Sequence, residues 1–480
     1  MDPTFLPAWR LAELTRAGEI SCLELLEHTI ARVDRLDGRI NAVVVRDFDR
    51  ARARARLLDR GGRANAGPLF GVPMTVKESF DLASHPTTWG YAERGEHRAK
   101  QDALAVQRIE AAGAVVFGKT NVPVALGDWQ SYNPVYGATS NPWDVSRTPG
   151  GSSGGGAAAV AAGLSALEIG TDIGGSIRVP AHFCGIFGHK PTWGLCPPRG
   201  HSLAEAAAWT DISVLGPLAR SARDLALALD ALAGPDPIDT DLTFKLAEPR
   251  AHRLRDLRVA VWSHEPGHAT GTETTALIEA LAARLEREGA EVSRTARPKF
   301  DPTEAFRLYI ALLDAALSAR APEDALARKR AKKAELRADE LNADAFFIRA
   351  VDMTHREWLG LNERRHRIRR AWAAFFDDWD VMLCPTLAVP ALPHMQEGAT
   401  WERSHAVDGR TIAYNDMLFW PGITCAYHLP ASVAPIGMSG SGLPIGVQIV
   451  GNLFADRTTI RVAEMLEQAG HAFVAPPGWV

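Results

Sequence analysis

Short apolar runs alternate with amphipathic stretches along most of the chain. The first 60 residues read as helical: Ser21 and Glu24 have the S-x-x-E spacing of a capping box, and Leu23, Leu25, Leu26 and Ile30 follow as an apolar stripe. Arg46 to Arg60 predicts a second helix with an arginine-rich, solvated face. From Gly71 the rhythm changes. Val72–Val76, Ala114–Phe117 and Ala166–Ile169 are β-type runs, interleaved with helical stretches at Ala103–Ala112 and Ala157–Ala162. Later strands are expected at Arg258–Trp262, Met382–Cys384, Ser432–Ile436 and Ile445–Val450, and helices at Ser221–Leu232, Glu273–Glu288 and Thr458–Gln468. Alternation of this kind predicts an α/β fold, a central mixed or largely parallel β-sheet flanked by helices.

Between Asp301 and Asp378 the pattern is helical and highly charged, with no strand-like run, which predicts a helical insertion. Its most basic part, Arg328 to Lys333, has acidic residues close by and reads as an exposed helix face. No internal repeat or long linker interrupts the chain. One continuous core over 1–480 fits better than separate domains. Its parts are an N-terminal helical part (1–65), a glycine-rich core (66–235), a helical, variable portion (236–378) and a C-terminal return to the core (379–480).

Charge and composition narrow the class of protein. With 53 basic against 57 acidic residues the formal net charge is −4, which exerts no long-range pull on a polyanion, so nucleic acid is not an expected partner. The amino-terminal residues lack a charged-then-apolar leader pattern, and Gly154 to Gly170 is too short and too weakly apolar to span a bilayer. Five cysteines, widely spaced and without C-x-x-C, read as reduced thiols. A cytoplasmic protein, monomeric or homodimeric and not bound to a membrane, is the expectation.

Three segments carry candidate chemistry. Thr148-Pro-Gly-Gly-Ser-Ser-Gly-Gly-Gly156 holds too many glycines for a helix or strand interior, so it predicts a loop that brings backbone amides close to something before an Ala-rich helix. A flexible linker is the plain alternative, but linkers join domains, and this run interrupts an apolar pattern. In Gly170-Thr-Asp-Ile-Gly-Gly-Ser-Ile-Arg178 glycines again precede a serine at a strand end. A nucleophile needs an exposed hydroxyl at a sharp turn with N–H donors nearby for an oxyanion, and Ile173, Gly174, Gly175 and Ser176 offer such amides. No G-x-S-x-G elbow and no evident His/Asp pair accompanies these serines. The base candidate is Lys77, in Gly71-Val-Pro-Met-Thr-Val-Lys-Glu-Ser79, where a lysine ending a β-type run lies largely inside the core. Burial without a partner depresses an amine's pKa, and a neutral lysine is a general base near pH 7. A structural ion pair between Lys77 and Glu78, or another carboxylate, is the competing reading.

Together these segments resemble the amidase signature family: GVPMTVKES, then TPGGSSGGGAAAVAAG, then GTDIGGSIRVPAHFCGIFGHKPT. Asn141–Asp144, Gly216–Leu232 and Gly442–Gln448 match as well. The likeness runs from about Leu11 to the carboxy-terminus and is weakest over Asp236–Trp379. Three motifs in order are a far more specific signal than one glycine pattern. The resemblance implies a hydrolase that cuts C–N bonds through a Ser–cisSer–Lys triad. Ser176 is then the nucleophile, and Lys77 the base. Ser152 bridges them across a cis peptide after Gly151, Ser153 being the second serine of the pair. Asp172 and Arg178 support the loops. The expected substrate is a small amide, with aryl amides and carbamates (urethanes) preferred because the Ala-rich 197–211 segment departs from the more compact family pattern. The family's glutaminase component of an amidotransferase is the enzymatic alternative, and a non-catalytic scaffold another.

Other patterns are set aside. Gly113-Ala-Val-Val-Phe-Gly-Lys-Thr120 spells a phosphate loop, yet its middle residues themselves read as the strand. His182, Cys184, His189 and Cys196 fit no standard zinc spacing. No cofactor and no metal is expected. Trp129, Trp143, Trp193, Trp209 and Trp420 read as core, with Trp193 and Trp209 candidates to line a pocket.

Overall fold

Fifteen strands occur among the described residues of the computed structural model: 2–62, 66–203, 206–239, 241–243, 245–319 and 321–479. They are β1 (Val43–Arg46), β2 (Pro73–Lys77), β3 (Val115–Thr120), β4 (Tyr132–Asn133), β5 (Gly137–Ala138), β6 (Leu167–Asp172), β7 (Phe187–Lys190), β8 (Val214–Ala219), β9 (Arg258–Val261), β10 (Glu291–Ser293), β11 (Val381–Pro385), β12 (Ser404–Val407), β13 (Arg410–Ala413), β14 (Ala431–Met438) and β15 (Pro444–Val450). Eleven form one mixed sheet in the order β1-β3-β2-β6-β8-β7-β14-β15-β11-β9-β10, while β4–β5 and β12–β13 are separate pairs. The α/β expectation holds. β2 lies between β3 and β6 and runs parallel to both, so the carboxyl ends of three strands open onto one edge. In parallel α/β sheets that edge is where ligand-binding residues gather.

Strands covered on both faces read as unbroken apolar runs rather than alternating ones. Every residue of β2, β3, β6, β11 and β15 is buried, and these strands were legible in sequence, as were β9 and β14. β7 (FGHK) and β8 (VLGPLA) were not, because lysine, histidine, glycine and proline break their apolar runs. Two boundaries differ from expectation. Arg46 ends β1, and the arginine-rich helix starts only at Phe48. Gly154, Gly155 and Gly156 are the first turn of the helix Gly154–Ala161, not the end of a loop.

The glycine helix has a steric cause. A Cβ on Gly154 would stand 2.4 Å from Ser131 Oγ, on Gly155 2.4 Å from the Asn121 amide, and on Gly156 2.4 Å from Glu168 Cγ. The poor helix propensity of glycine, about 1 kcal/mol per residue, is accepted because nothing larger lets the helix lie against β3 and β6. The helix is buried along its whole length.

The charged region folds as expected into the helices Pro302–Ser318, Glu323–Glu335, Ala343–Arg349 and His355–Asp378. The first and last pack Leu308, Tyr309, Leu312, Trp372 and Phe376 into a core shared with Trp262 and Trp420. Within Arg328–Lys333 one residue departs from the exposed face: Lys329 is buried, paired with Asp314 beneath the Phe347 ring. No helix of the described residues is long and apolar enough to cross a membrane.

Long-range polar contacts tie the amino-terminal helix to the core. Asp224, buried in the helix Ala222–Leu232, accepts the amides of Ala8 (2.9 Å) and Trp9 (2.7 Å) at the start of the helix Ala8–Ala17. Pro7 at that cap has no side chain to do so. Asp224→Ala strands two helix-start donors and is expected to remove about 1–3 kcal/mol of stability, read as a lowered urea midpoint.

Candidate active site

Lys77 is the last residue of β2, held entirely out of water. Its Nζ lies 2.7 Å from Ser152 Oγ and 2.8 Å from Thr171 Oγ1. Burial brings its pKa down to about 7, against the opposing pull of the Asp172 and Glu168 carboxylates. Glu78, the partner of the competing reading, turns elsewhere: its carboxylate accepts the Thr88 amide (2.6 Å), the Thr88 hydroxyl (2.8 Å), the Trp89 amide (3.0 Å) and the Tyr136 hydroxyl (3.2 Å). An ammonium has three N–H donors and finds two acceptors here. A neutral amine, two donors and one lone pair, suits the site better.

Ser152 reaches Lys77 from the loop before the glycine helix, and the Gly151–Ser152 peptide is cis. Its neighbour Ser153 stitches this loop to the next. The Ser153 amide donates to the Ser176 carbonyl oxygen at 3.1 Å, its hydroxyl donates to the Thr171 carbonyl oxygen at 3.3 Å, and the Thr171 amide donates to Ser153 Oγ at 3.2 Å. A Cβ on Gly170 would strike Ser153 Oγ at 2.6 Å, which fixes glycine there.

The turn carrying Ser176 is organised by Asp172. Its carboxylate accepts the amides of Gly175 (2.8 Å), Ile177 (3.0 Å) and Arg178 (3.3 Å), and the guanidinium of Arg178 at 2.8 and 3.0 Å. Both side chains are fully buried. The Arg178 guanidinium outweighs burial and holds the Asp172 carboxyl well below the usual range. Arg178 in turn binds the Pro421 carbonyl (3.0 Å), Thr424 Oγ1 (2.7 Å) and Gln448, fixing the turn to the C-terminal part of the chain. Gly175 is thereby committed to Asp172, leaving Ile173, Gly174 and Ser176 of the four candidate oxyanion donors. The Tyr309 hydroxyl donates to the Ile173 carbonyl (3.3 Å) and Trp129 Nε1 to the Gly174 carbonyl (2.8 Å), which sets the peptide planes. Thr171, Tyr309 and Trp129 had no functional mark in sequence. Thr171 adjoins Asp172 and was within reach, whereas Tyr309 comes from the insertion and only the fold brings it near.

A cavity of about 900 Å³ opens above Ser152, Thr171 and Ser176. Aromatic and aliphatic side chains dominate its wall, among them Trp89, Tyr91, Trp209, Leu312 and Trp358. Trp209 lines it, while Trp193 stands behind, edge-on to Trp209 and stacked on His428. Of the 197–211 segment, residues 204 and 205 lie outside the described residues; His201 sits between Phe80 and Trp89 (centroids 4.8 and 4.9 Å), with Nε2 3.0 Å from Ser79 Oγ. Burial, with Lys77 nearby, pushes its pKa down to about 3, so the ring is neutral. A recess of about 70 Å³, reaching Asp128, Tyr414 and Asn415, also meets Ser176 and Gly174 and shares Leu126, Ile173 and Leu317 with the larger cavity.

The remaining sequence patterns have internal roles. Lys119 of the phosphate-loop spelling lies inside β3, its ammonium bound by the Pro86 carbonyl and Thr87 Oγ1. His182 lies against the Gly446 amide and the Val389 carbonyl. His189 belongs to a chain that sequence did not reveal: Nε2 is 3.2 Å from Asp456 Oδ1 and Nδ1 2.9 Å from Ser432 Oγ. These are the three residue types of a Ser-His-Asp triad with the two ring nitrogens exchanged, and the Ser432 hydroxyl donates to Thr459 Oγ1 at 3.0 Å. All three side chains are fully buried, and none lines either cavity.

The family model for amidases matches residues 24–460, and the chain belongs to the amidase signature family of amide-cleaving enzymes. It is 34% identical over 485 residues to the 6-aminohexanoate-cyclic-dimer hydrolase of Paenarthrobacter ureafaciens, covering 95% of this chain and 93% of that one. It is 32% identical over 506 residues to a glutamyl-tRNA(Gln) amidotransferase component from a Synechococcus strain, covering 98% and 97%. Among solved structures, a bacterial aryl acylamidase of the family superposes with a TM-score of 0.82 at 25% identity, over 99% of each chain. Ser432→Ala, in the sealed cluster, is expected to leave amide turnover within a few-fold of the parent; a loss matching that of Ser176→Ala would move the chemistry to His189.

Proposed function

We propose that this enzyme hydrolyses small amides and carbamates through an acyl-enzyme on Ser176, with Lys77 as the base and Ser152 as the relay between them. The observation that carries the reading is the Lys77 amine, buried without a direct charge partner and 2.7 Å from a serine hydroxyl beside the cavity. Ser176 Oγ attacks the carbonyl carbon as its proton passes to Ser152 and the Ser152 proton to Lys77 Nζ. Amides of Ile173, Gly174 and Ser176 receive the oxyanion, each worth about 2.7–4 kcal/mol in comparable sites. The C–N bond breaks as the proton returns through Ser152 to the leaving nitrogen. Water, deprotonated along the same path, then releases the acid and restores Ser176.

Size and lining favour aryl amides and aryl carbamates. About 900 Å³ is the upper part of the range for drug-sized ligands, and its aromatic wall suits a ring. The relative in the amidotransferase class supports glutaminase activity as the second reading. A panel of p-nitroacetanilide, an aryl carbamate, an aryl ester and glutamine decides between them: turnover of glutamine alone overturns the aryl preference.

Ser176→Ala and Lys77→Met are each expected to lower turnover of p-nitroacetanilide by several orders of magnitude with an unchanged thermal melt; retained activity in either overturns its assigned role. The base form of Lys77 predominates above its depressed pKa of about 7. The rate therefore rises as pH climbs through that region and falls below it, measured as kcat/KM between pH 5 and 9.

A further inference from the structure

Lys77 is not the only buried ionisable group whose charge is left without a direct partner. Glu168, on β6, is fully buried, and both of its oxygens are held by hydroxyls: Thr75 Oγ1 donates to Oε2 at 2.5 Å and Thr120 Oγ1 to Oε1 at 2.7 Å. Thr75 is paired with Glu168 across the sheet, and Lys77 stands two residues further along β2, on the same face as Thr75. The backbone makes room for the carboxylate, since a Cβ on Gly156 would lie within 2.6 Å of Glu168 Cγ, Cδ and Oε1. The third glycine of the glycine run is thus there for Glu168, not for the catalytic loop.

Hydroxyl partners are the telling feature. A hydroxyl donates to a carboxylate or accepts from a carboxylic acid, so a threonine cradle fits both states of Glu168. Thr75 has an alternative acceptor in place: its Oγ1 is 3.0 Å from Ser165 Oγ, which itself donates to the Leu167 carbonyl at 2.8 Å. When Glu168 carries a proton and donates it to Thr75 Oγ1, the Thr75 proton turns to Ser165 and no group is orphaned. Lys77, bound by Ser152 and Thr171, has the same adaptability. Ammonium with carboxylate and amine with carboxylic acid carry the same net charge, so exchanging one for the other leaves the interior neutral.

We propose that Glu168 is a positioning residue that shares one proton with Lys77, setting the pH at which the amine becomes available as a base. The proposal rests on the reading of Lys77 as the base. The charged groups facing Lys77 are Asp172 and Glu168 from β6, with neutral His201 from the 197–211 segment. Asp172 is already neutralised by Arg178. Among the described residues, Lys77 is the one charged group that acts on Glu168, which burial pushes up to about 8. A carboxylate at Glu168 holds the proton on Lys77; a carboxylic acid there lets it go.

The test is the pH profile of kcat/KM for p-nitroacetanilide in the full-length enzyme. The parent is expected to show an acid limb spread over two steps, as a coupled pair does. Glu168→Gln keeps the shape and removes the charge, and its limb is expected to become a single step about one pH unit lower. A limb unmoved, or moved upward, overturns the proposal, since a purely structural glutamate changes rate or stability but not the titration. Should Glu168→Gln fail to fold, Thr120→Val removes a hydroxyl that stabilises the carboxylate, and a smaller shift in the same direction is expected. Difference infrared spectra between pH 6 and 9 supply a readout without turnover: a protonated-carboxyl band in the parent, absent in Glu168→Gln, is expected, and its absence from the parent refutes the pairing. If Lys77→Met keeps the parent's acid limb, the base assignment itself fails; if it is inactive while Glu168→Gln titrates like the parent, only the sharing of the proton fails.

Discussion

Everything at this site depends on a primary amine kept out of water among hydroxyls. A lysine tip in solvent is a cation near neutral pH and accepts no proton. At the end of β2, walled by β3, β6 and the glycine helix, the same group is pushed toward its neutral form by desolvation alone, and a serine and a threonine hold it without restoring the charge. Had Glu78, its chain neighbour, formed a direct ion pair with it, the ammonium would be stabilised and the pKa held up. Alternation along the chain sends Glu78 to Thr88, Trp89 and Tyr136 instead.

That burial demands close approach, and close approach explains the glycines. Gly154, Gly155 and Gly156 let a helix touch Ser131, Asn121 and Glu168, while Gly170 clears Ser153. Two loops that would otherwise be separate surface features become one unit, locked by Ser153 and Thr171 and anchored through Asp172 and Arg178 to Gln448 on β15. The last contact spans 270 residues. It makes the far end of the chain a structural requirement for the turn at Ser176, which is why the fold returns to the main sheet after the helical insertion.

Much of this was legible before any coordinates. Strands buried on both faces announce themselves as apolar runs, and the motifs around Lys77, Ser152 and Ser176 are dense enough to mark the candidate site, where Lys77 and Ser152 meet at 2.7 Å. What sequence could not give was pairing. Nothing local to Tyr309 says that its hydroxyl will steady the Ile173 carbonyl, because the insertion packs there only in three dimensions. Gly175 looked like an oxyanion donor until Asp172 was seen to occupy its amide. The glycines of 154–156 looked like loop because propensity is a local rule, and here packing against the sheet overrode it. β7 and β8 escaped notice because lysine, histidine, glycine and proline interrupt their apolar runs, although every residue of both is buried.

The chain also contains two clusters in which a serine hydroxyl meets a buried nitrogen base, Lys77 with Ser152 and His189 with Ser432, and they differ in access. Ser432, His189 and Asp456 are the more familiar residue types, linked through the opposite ring nitrogens, and they are fully buried on β7, β14 and the last helix, away from both cavities. Burial also lowers the pKa of His189, so that the ring stays neutral and serves as a rigid link. Lys77 carries the intrinsically stronger base, which is free to accept a proton near neutral pH only because burial lowers its pKa, and the neighbouring Ser152 and Ser176 stand on the wall of a large cavity. The same desolvation acts on both. Beside the cavity it brings a lysine down to a pKa of about 7, and in the sealed interior it lowers that of a histidine. Access, set by the strand ends and by the insertion residues that line the cavity, separates the two buried groups: Ser152, the partner of Lys77, lines the cavity and Ser432, the partner of His189, does not.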